Sequence, residues 1–228
     1  YLHSATMVKA GIFLVAKFSL LLGGTPFWYY TIAAFGAVTV LTGAALAIRQ
    51  FDLKALLAFS TVSQLGLIMP MFALGTQDGA LAGSAHILNH ATFKGALFML
   101  VGIIDHQTGT RDLRRLSGLR KTMPITSVLI AIAALSMAGV WPLNGFVSKE
   151  HIFLAMLDLP FGTNFWTWTF AALAVAGSML TTVYCLILAH RITFGEPSKD
   201  LDVQPQDPPF AMLFGPVILA IFVVVLGI

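Results

Sequence analysis

The sequence predicts an all-α fold: a polytopic bundle of transmembrane helices in which one helix, about 124–157, is discontinuous. Three observations predict it. Only 10% of the 228 residues are charged, against about 25% in a soluble domain. Several apolar stretches exceed the roughly 18–20 residues that cross a bilayer, and the mean hydropathy is +0.86. One of these stretches, 124–157, carries Trp141-Pro142-Leu143-Asn144-Gly145 at its centre. Pro142 has no N–H and its ring clashes with the carbonyl four residues back, at Ala138.

The elements follow in order. A helix is expected at 1–18, incomplete at its start, then spans at 27–47, 53–74, 79–104, 124–157, 165–190 and 210–228. Between them stand breakers: Gly23-Gly24-Thr25-Pro26, Gly75-Thr76-Gln77, and a loop at 196–209 with four prolines. The chain opens at Tyr1-Leu2-His3 without a Met or a signal-peptide pattern, and it closes at Ile228 inside an apolar run. The expectation is one transmembrane domain over 1–228, truncated at both ends and so a fragment of a larger protein. Gly79 and Gly83, four apart, allow close helix packing.

The stretch 124–157 could be two short helices or one broken span. Positive charges decide between them, because short cytoplasmic loops collect Lys and Arg. With one broken span, one side receives Lys17 alone. The other receives Arg49, Arg111, Arg114, Arg115, Arg120, Lys121, Arg191 and Lys199. Two spans would weaken that asymmetry, and the second would be too short to cross. One discontinuous span is therefore expected, with loop 105–123 basic and cytoplasmic. Its arginines read as orientation anchors. The pI near 9.2 thus marks membrane edges and gives no reason to expect nucleic acid. One cysteine, Cys185, excludes a disulfide framework and a thiolate metal site.

Ionisable residues at membrane depth are costly, so they are functional candidates by default. His86, His90 and Lys94 recur at i, i+4 and i+8, within about 80° of arc on one helix face, with Asn89 on the flank. Histidine both accepts and donates protons near neutral pH, and a lysine taken out of water releases its proton more readily. Stacked in this way, the three can relay a proton through water. His86 and His90 have the spacing of a helical zinc pair, but position 87 is Ile where a metallohydrolase needs Glu. No metal is expected. Lys149 follows the break at Pro142 and Gly145, with Glu150 beside it, as a gate residue or a plain ion pair. Lys54, after Asp52, belongs to the relay or snorkels to the interface. His3 and Lys9 in the first helix, together with Asp52 and Glu150, are further relay or coupling candidates. Lysine offers only donors, so this set suits protons, and a sodium site is expected elsewhere. No redox cofactor motif is present.

The phrases HSATMVKAG (3–11), DLKALLAFSTVSQLG (52–66), HILNHATFKGALF (86–98), GLRKTMP (118–124) and NGFVSKE (144–150) resemble, in this order, the antiporter-type subunits shared by respiratory complex I and the multisubunit Mrp Na⁺/H⁺ antiporters. VGIIDHQTGTRDLRRLSGL (101–119) and AGVWPLNGFVSKEHIF (138–153) are most similar to the large antiporter-like component of the Mrp branch. The resemblance is dense over 3–153. It implies a mid-membrane relay in which Lys54, His86, His90, Lys94 and Lys149 match relay positions and His3 matches a helix histidine. It implies H⁺ and Na⁺ as transported ions, no cofactor, other membrane subunits as partners and a bacterial plasma membrane as the location. The family's glutamate and first broken-helix lysine would precede Tyr1. Trp141-Pro142 departs from the commoner Pro-Pro pair. Na⁺/H⁺ exchange is the expected function. A proton-pumping component of a quinone oxidoreductase and a structural scaffold for partner subunits are the alternatives.

Overall fold

In the computed structural model, the described residues are 7–157, 162, 164–196, 201 and 205–228. They form eight α-helices: α1 (Ala10–Leu22), α2 (Pro26–Ile48), α3 (Leu53–Ala73), α4 (Gln77–Thr108), α5 (Pro124–Ala138), α6 (Asn144–Leu157), α7 (Phe165–Thr193) and α8 (Phe210–Val225). Of these, α2, α3, α4 and α7 are long and apolar enough to cross a membrane. The first helix runs four residues past its expected end at 18. Among the described residues its helical turns extend from Met7 to Leu22, where Gly23 N–H closes the last turn on Ser19 O.

Local chemistry sets the other boundaries. Pro26 and Pro124 sit at helix starts, where a missing N–H costs nothing. Asp52 caps α3 by accepting from Ala55 N–H at 2.9 Å, and Thr76 caps α4 by accepting from Gly79 N–H at 3.1 Å. Gly109, at φ 70°, ends α4, four residues beyond the expected limit. Asn164 and Thr167 form a capping box at α7.

Chain turns alternate between two ends. At the arginine-rich end, the Phe51–Leu113 segment is tied by Leu53 N–H to Arg111 O and by Leu113 N–H to Phe51 O. There Asp207 accepts from Ile125 N–H, Thr126 N–H and the Thr126 hydroxyl, serving as the start cap that α5 lacks. At the other end, the Gly23-Gly24 and Gly75 turns touch backbone to backbone. Helices α2 and α3 pack closely because both carry glycine at the seam. A methyl on Gly43 would lie 2.7 Å from Ser63 N, and one on Gly36 at 2.7 Å from Gly66 O. Helix α4 is the hub, packed on α3, α5, α6 and α8.

The expected discontinuity is present. Helix α5 has 15 residues, about 22 Å at 1.5 Å per residue, too short for a hydrocarbon core of about 30 Å. It starts at the arginine-rich end and stops at Gly139, φ 88°. Helix α6 starts beside the last turn of α5 and continues toward the opposite end, where Leu154 and Ala155 share a cavity with Asp78. Together they make one crossing in two pieces.

Candidate functional site

The break between α5 and α6 leaves helix-end carbonyls inside the protein, and Lys149 takes them. Its ammonium donates to Met137 O and Ala138 O, both at 3.0 Å. Lys149 is 6% exposed and, among the described residues, has no carboxylate partner. Of the two readings of this pair, the plain ion pair with Glu150 is not formed; Glu150 is exposed one position on. Both residues line a cavity of about 420 Å³ with Ala138, Thr182, Phe153 and Met179.

Side chains also stitch the break together. Ser136, in the last turn of α5, donates to Asn144 Oδ1 at 2.7 Å and accepts from Gly145 N–H at 3.1 Å. Gly145 is required there, because a Cβ would collide with the Ser136 carbonyl. Asn144 then reaches the hub helix. Its Nδ2 donates to Asn89 Oδ1 at 3.2 Å and Thr92 Oγ1 at 3.0 Å, while Asn89 Nδ2 donates back to Asn144 O at 2.8 Å. The break is therefore fixed to the α4 face that carries the histidines.

On that face His86, His90 and Lys94 are each fully buried at 0% exposure. Lys94 donates to Leu57 O at 3.1 Å and to the Ser60 hydroxyl on α3, again with no carboxylate among the described residues. His86 is held on both ring nitrogens, by Ser148 Oγ of α6 at 2.8 Å and Gln64 Oε1 of α3 at 3.0 Å. Gln64 in turn meets Thr181 of α7 at 3.2 Å. His90 differs: neither ring nitrogen has a hydrogen-bond partner among the described residues, and its ring lies edge-on to Phe93 at 5.5 Å. A buried imidazole of this kind is normally satisfied by ordered water. Lys94, His90, His86, Ser148 and Lys149 thus form a buried polar seam among apolar helices, in which direct hydrogen bonds join only His86 to Ser148 and Gln64.

Other candidates lie outside this seam. Lys54 pairs with Asp105 at 2.9 Å, and Arg111 approaches Asp52 at 3.3 Å and Asp105 at 3.9 Å. These side chains are 33–42% exposed, at the arginine-rich end, where all but Lys54 line a second cavity of about 420 Å³. Lys54 is thus at the mouth of the bundle. It stands one helical turn before Leu57, whose carbonyl holds Lys94, so α3 connects the two. Beside this mouth, Arg114 donates to Asp112 through its side chain and backbone and holds that carboxyl down to about 2. Lys9, just before α1, donates to Ile87 O at 3.0 Å, next to His86. His3 lies outside the described residues. Sequence reading missed Gln64, Ser136, Asn144 and Thr181 as partners. A polar residue at depth in an apolar run was the available signal for each.

Residues 1–181 match the model of a transmembrane family described as NADH:quinone oxidoreductase/Mrp antiporter. The chain belongs to this family. Within it, the chain is 46% identical over 246 aligned residues to the A subunit of a Na(+)/H(+) antiporter of Alkalihalophilus pseudofirmus, covering 100% of this chain and 31% of that protein. It is 48% identical over 209 residues to the A/B subunit of a probable K(+)/H(+) antiporter of Rhizobium meliloti, with 92% and 21% covered. The chain thus spans a third or less of these curated relatives. Among solved structures, it superposes on the Mrp complex from Dietzia sp. DQ12-45-1b with a TM-score of 0.86 and 40% identity, covering 99% of this chain and 24% of that one. A TM-score of 0.87 and 32% identity relate it to the membrane-bound sulfane sulfur reductase, an archaeal respiratory membrane complex, with 99% and 38% covered. As a family member with four such spans, this is a multi-pass membrane protein.

Proposed function

We propose that this chain is the proton-translocating part of a multisubunit Na⁺/H⁺ antiporter in a bacterial plasma membrane, assembled with other membrane subunits. The observation that carries the reading is the placement of Lys94 and Lys149 on one buried polar seam. Both are held by carbonyls and hydroxyls alone. A carboxylate would lock each lysine in its charged form. A neutral cradle stabilises the ammonium by hydrogen bonds, yet releasing the proton removes the cost of a buried charge, so both forms have support.

The proton path runs from the mouth at Lys54 and Asp105, along the facing sides of α3 and α4. From Asp105 to Lys94 is about 16 Å of helix, and from Lys94 to His86 about 12 Å. Lys94 passes the proton to His90 and His86 through water, and water carries it on from the Ser148 side of His86 to Lys149 at the break. The basic loop 105–123 supports a cytoplasmic side for the mouth. Glu150 and the adjacent cavity lie on the far side of Lys149. Lysines cannot coordinate sodium, so the cation path lies outside this seam. The named relatives, components of antiporters for Na⁺ and for K⁺, favour cation exchange.

The test uses the full-length protein assembled in its complex, in everted membrane vesicles with a pH-sensitive dye. Lys94→Ala and Lys149→Ala should each slow Na⁺-driven proton movement by at least about tenfold, or 1.4 kcal/mol of barrier. Normal assembly with unchanged exchange sinks the relay and leaves a scaffold role. The respiratory neighbour supports a second reading, a pump coupled to a quinone oxidoreductase. Co-purification of quinone reductase activity would select it.

A further inference from the structure

Among the relay candidates described, His86 is the one whose two ring nitrogens both meet protein groups, and its neighbours determine which nitrogen carries the proton. The hydrogen-bond chain that does so starts on α7. The Thr181 hydroxyl donates to Gly177 O, one turn back, at 3.0 Å, the usual use of a threonine in a helix. Its oxygen is then only an acceptor, and Tyr184 OH already points at it from 3.3 Å. The Gln64 group facing Thr181 at 3.2 Å must therefore be the amide NH₂. That fixes the amide's orientation and turns Gln64 Oε1 toward His86 Nε2 at 3.0 Å. An amide oxygen only accepts, so Nε2 carries a hydrogen. In the neutral ring Nδ1 is then bare, and it accepts from the Ser148 hydroxyl at 2.8 Å.

Ser148 has two other acceptors within reach, Asn144 O at 3.2 Å and Gly145 O at 3.4 Å. Both belong to the first turn of α6, next to the break. A hydroxyl rotates freely to suit its acceptor.

We propose that Gln64 and Ser148 are positioning residues that make His86 exchange protons only at Nδ1, with the Ser148 hydroxyl as the rotor. The inference rests on the relay reading above. In the neutral state, Ser148 O–H donates to Nδ1. When a proton arrives, it bonds to the Nδ1 lone pair and the hydroxyl swings to Asn144 O or Gly145 O. The serine oxygen then accepts the new Nδ1–H, while Nε2–H stays on Gln64. Release reverses these steps, so the ring changes charge without turning over. The charged groups acting on the ring are the ammonium groups of Lys149 from α6 and Lys9 from the turn before α1. His90 and Lys94 stand on its own helix, and on α3 the one charged side chain, Lys54, is turned to Asp105 at the mouth.

The test is ring ¹⁵N solid-state NMR of histidine-labelled full-length complex in lipid, with His86 assigned by difference against His86→Gln. The expected neutral signal has a protonated Nε2 and a bare Nδ1. Gln64→Leu should lose this tautomer preference, and Gln64→Glu should restore a protonated Nε2. Ser148→Ala should keep the tautomer but slow exchange at least about tenfold, with Ser148→Thr restoring it. A wild-type Nδ1–H tautomer overturns the proposal, as does a tautomer indifferent to Gln64→Leu. These spectra stand apart from vesicle transport. Failure of Na⁺/H⁺ exchange would remove the relay reading while leaving the tautomer result to be judged alone.

Discussion

The clasp between Asn89 and Asn144 joins the histidine helix to the break, and its energetics can be worked bond by bond. Asn144→Ala removes three side-chain hydrogen bonds, to Ser136, Asn89 and Thr92. Asn89→Ala removes two, one to Asn144 O and one from Asn144 Nδ2. Inside membrane proteins such bonds average about 0.6 kcal/mol. The expected losses are therefore about 2 kcal/mol for Asn144→Ala and about 1 kcal/mol for Asn89→Ala. Only one bond joins the two side chains, because the other ends on the Asn144 backbone and survives Asn144→Ala. The double variant should lose about 2.4 kcal/mol, leaving a coupling of about 0.6 kcal/mol. Reversible unfolding in mixed detergent micelles measures all four corners of the cycle. A greater cost for Asn89→Ala than for Asn144→Ala, or two effects that add without coupling, would overturn this assignment of bonds.

Other substitutions separate tight places from open ones. Gly43→Ala should cost about 1–3 kcal/mol by forcing α2 off α3. Gly102→Ala, with nothing within 4 Å of a new methyl, should be neutral or stabilising by up to about 1 kcal/mol in the same assay. Gly145→Ala meets the Ser136 carbonyl and should abolish exchange in assembled complex; normal transport would show that the break tolerates widening. Asp105→Asn breaks a partly exposed pair with Lys54, so stability should fall by less than about 1 kcal/mol. The Asp112 carboxyl, held down to about 2 by Arg114, favours the folded loop above the ordinary carboxylate range, and that contribution disappears as pH falls through about 2. Asp112→Asn should therefore leave limited proteolysis of the loop unchanged at pH 1 and increase it between pH 5 and 9.

Much of the fold was legible because its signals are local. Apolar run length pointed to α2, α3, α4 and α7, and the tract from Trp141 to Gly145 marked the break between α5 and α6. The burial of His86, His90 and Lys94 on one face followed from their spacing alone. What depended on three dimensions was not legible. Lys149 finds its partners only because Gly139 turns the chain at positive φ, and sequence adjacency pointed instead to Glu150. Gln64 and Thr181 are 117 residues apart, and no periodicity pairs them. Lys54 read as a buried relay member or a snorkelling side chain; it lies at the bundle mouth, because Asp105 at the end of α4 holds it there. Helix α4 outran its expected end because its last turn stays polar but helical until Gly109.

The neutral cradle around Lys149 also makes the site sensitive to voltage. Among the described residues no carboxylate offsets its charge, so each proton bound there adds one full elementary charge inside the bilayer. Helix α5 places that charge about 22 Å from the arginine-rich end of the helix, deep in the membrane field. A charge crossing the whole field gains or loses about 2.3 kcal/mol per 100 mV. Reaching that depth from the arginine-rich side crosses about three-quarters of it, worth about 1.7 kcal/mol or roughly eighteenfold in occupancy. On the relay proposed above, the membrane potential, and not the pH difference alone, then sets how often Lys149 is loaded.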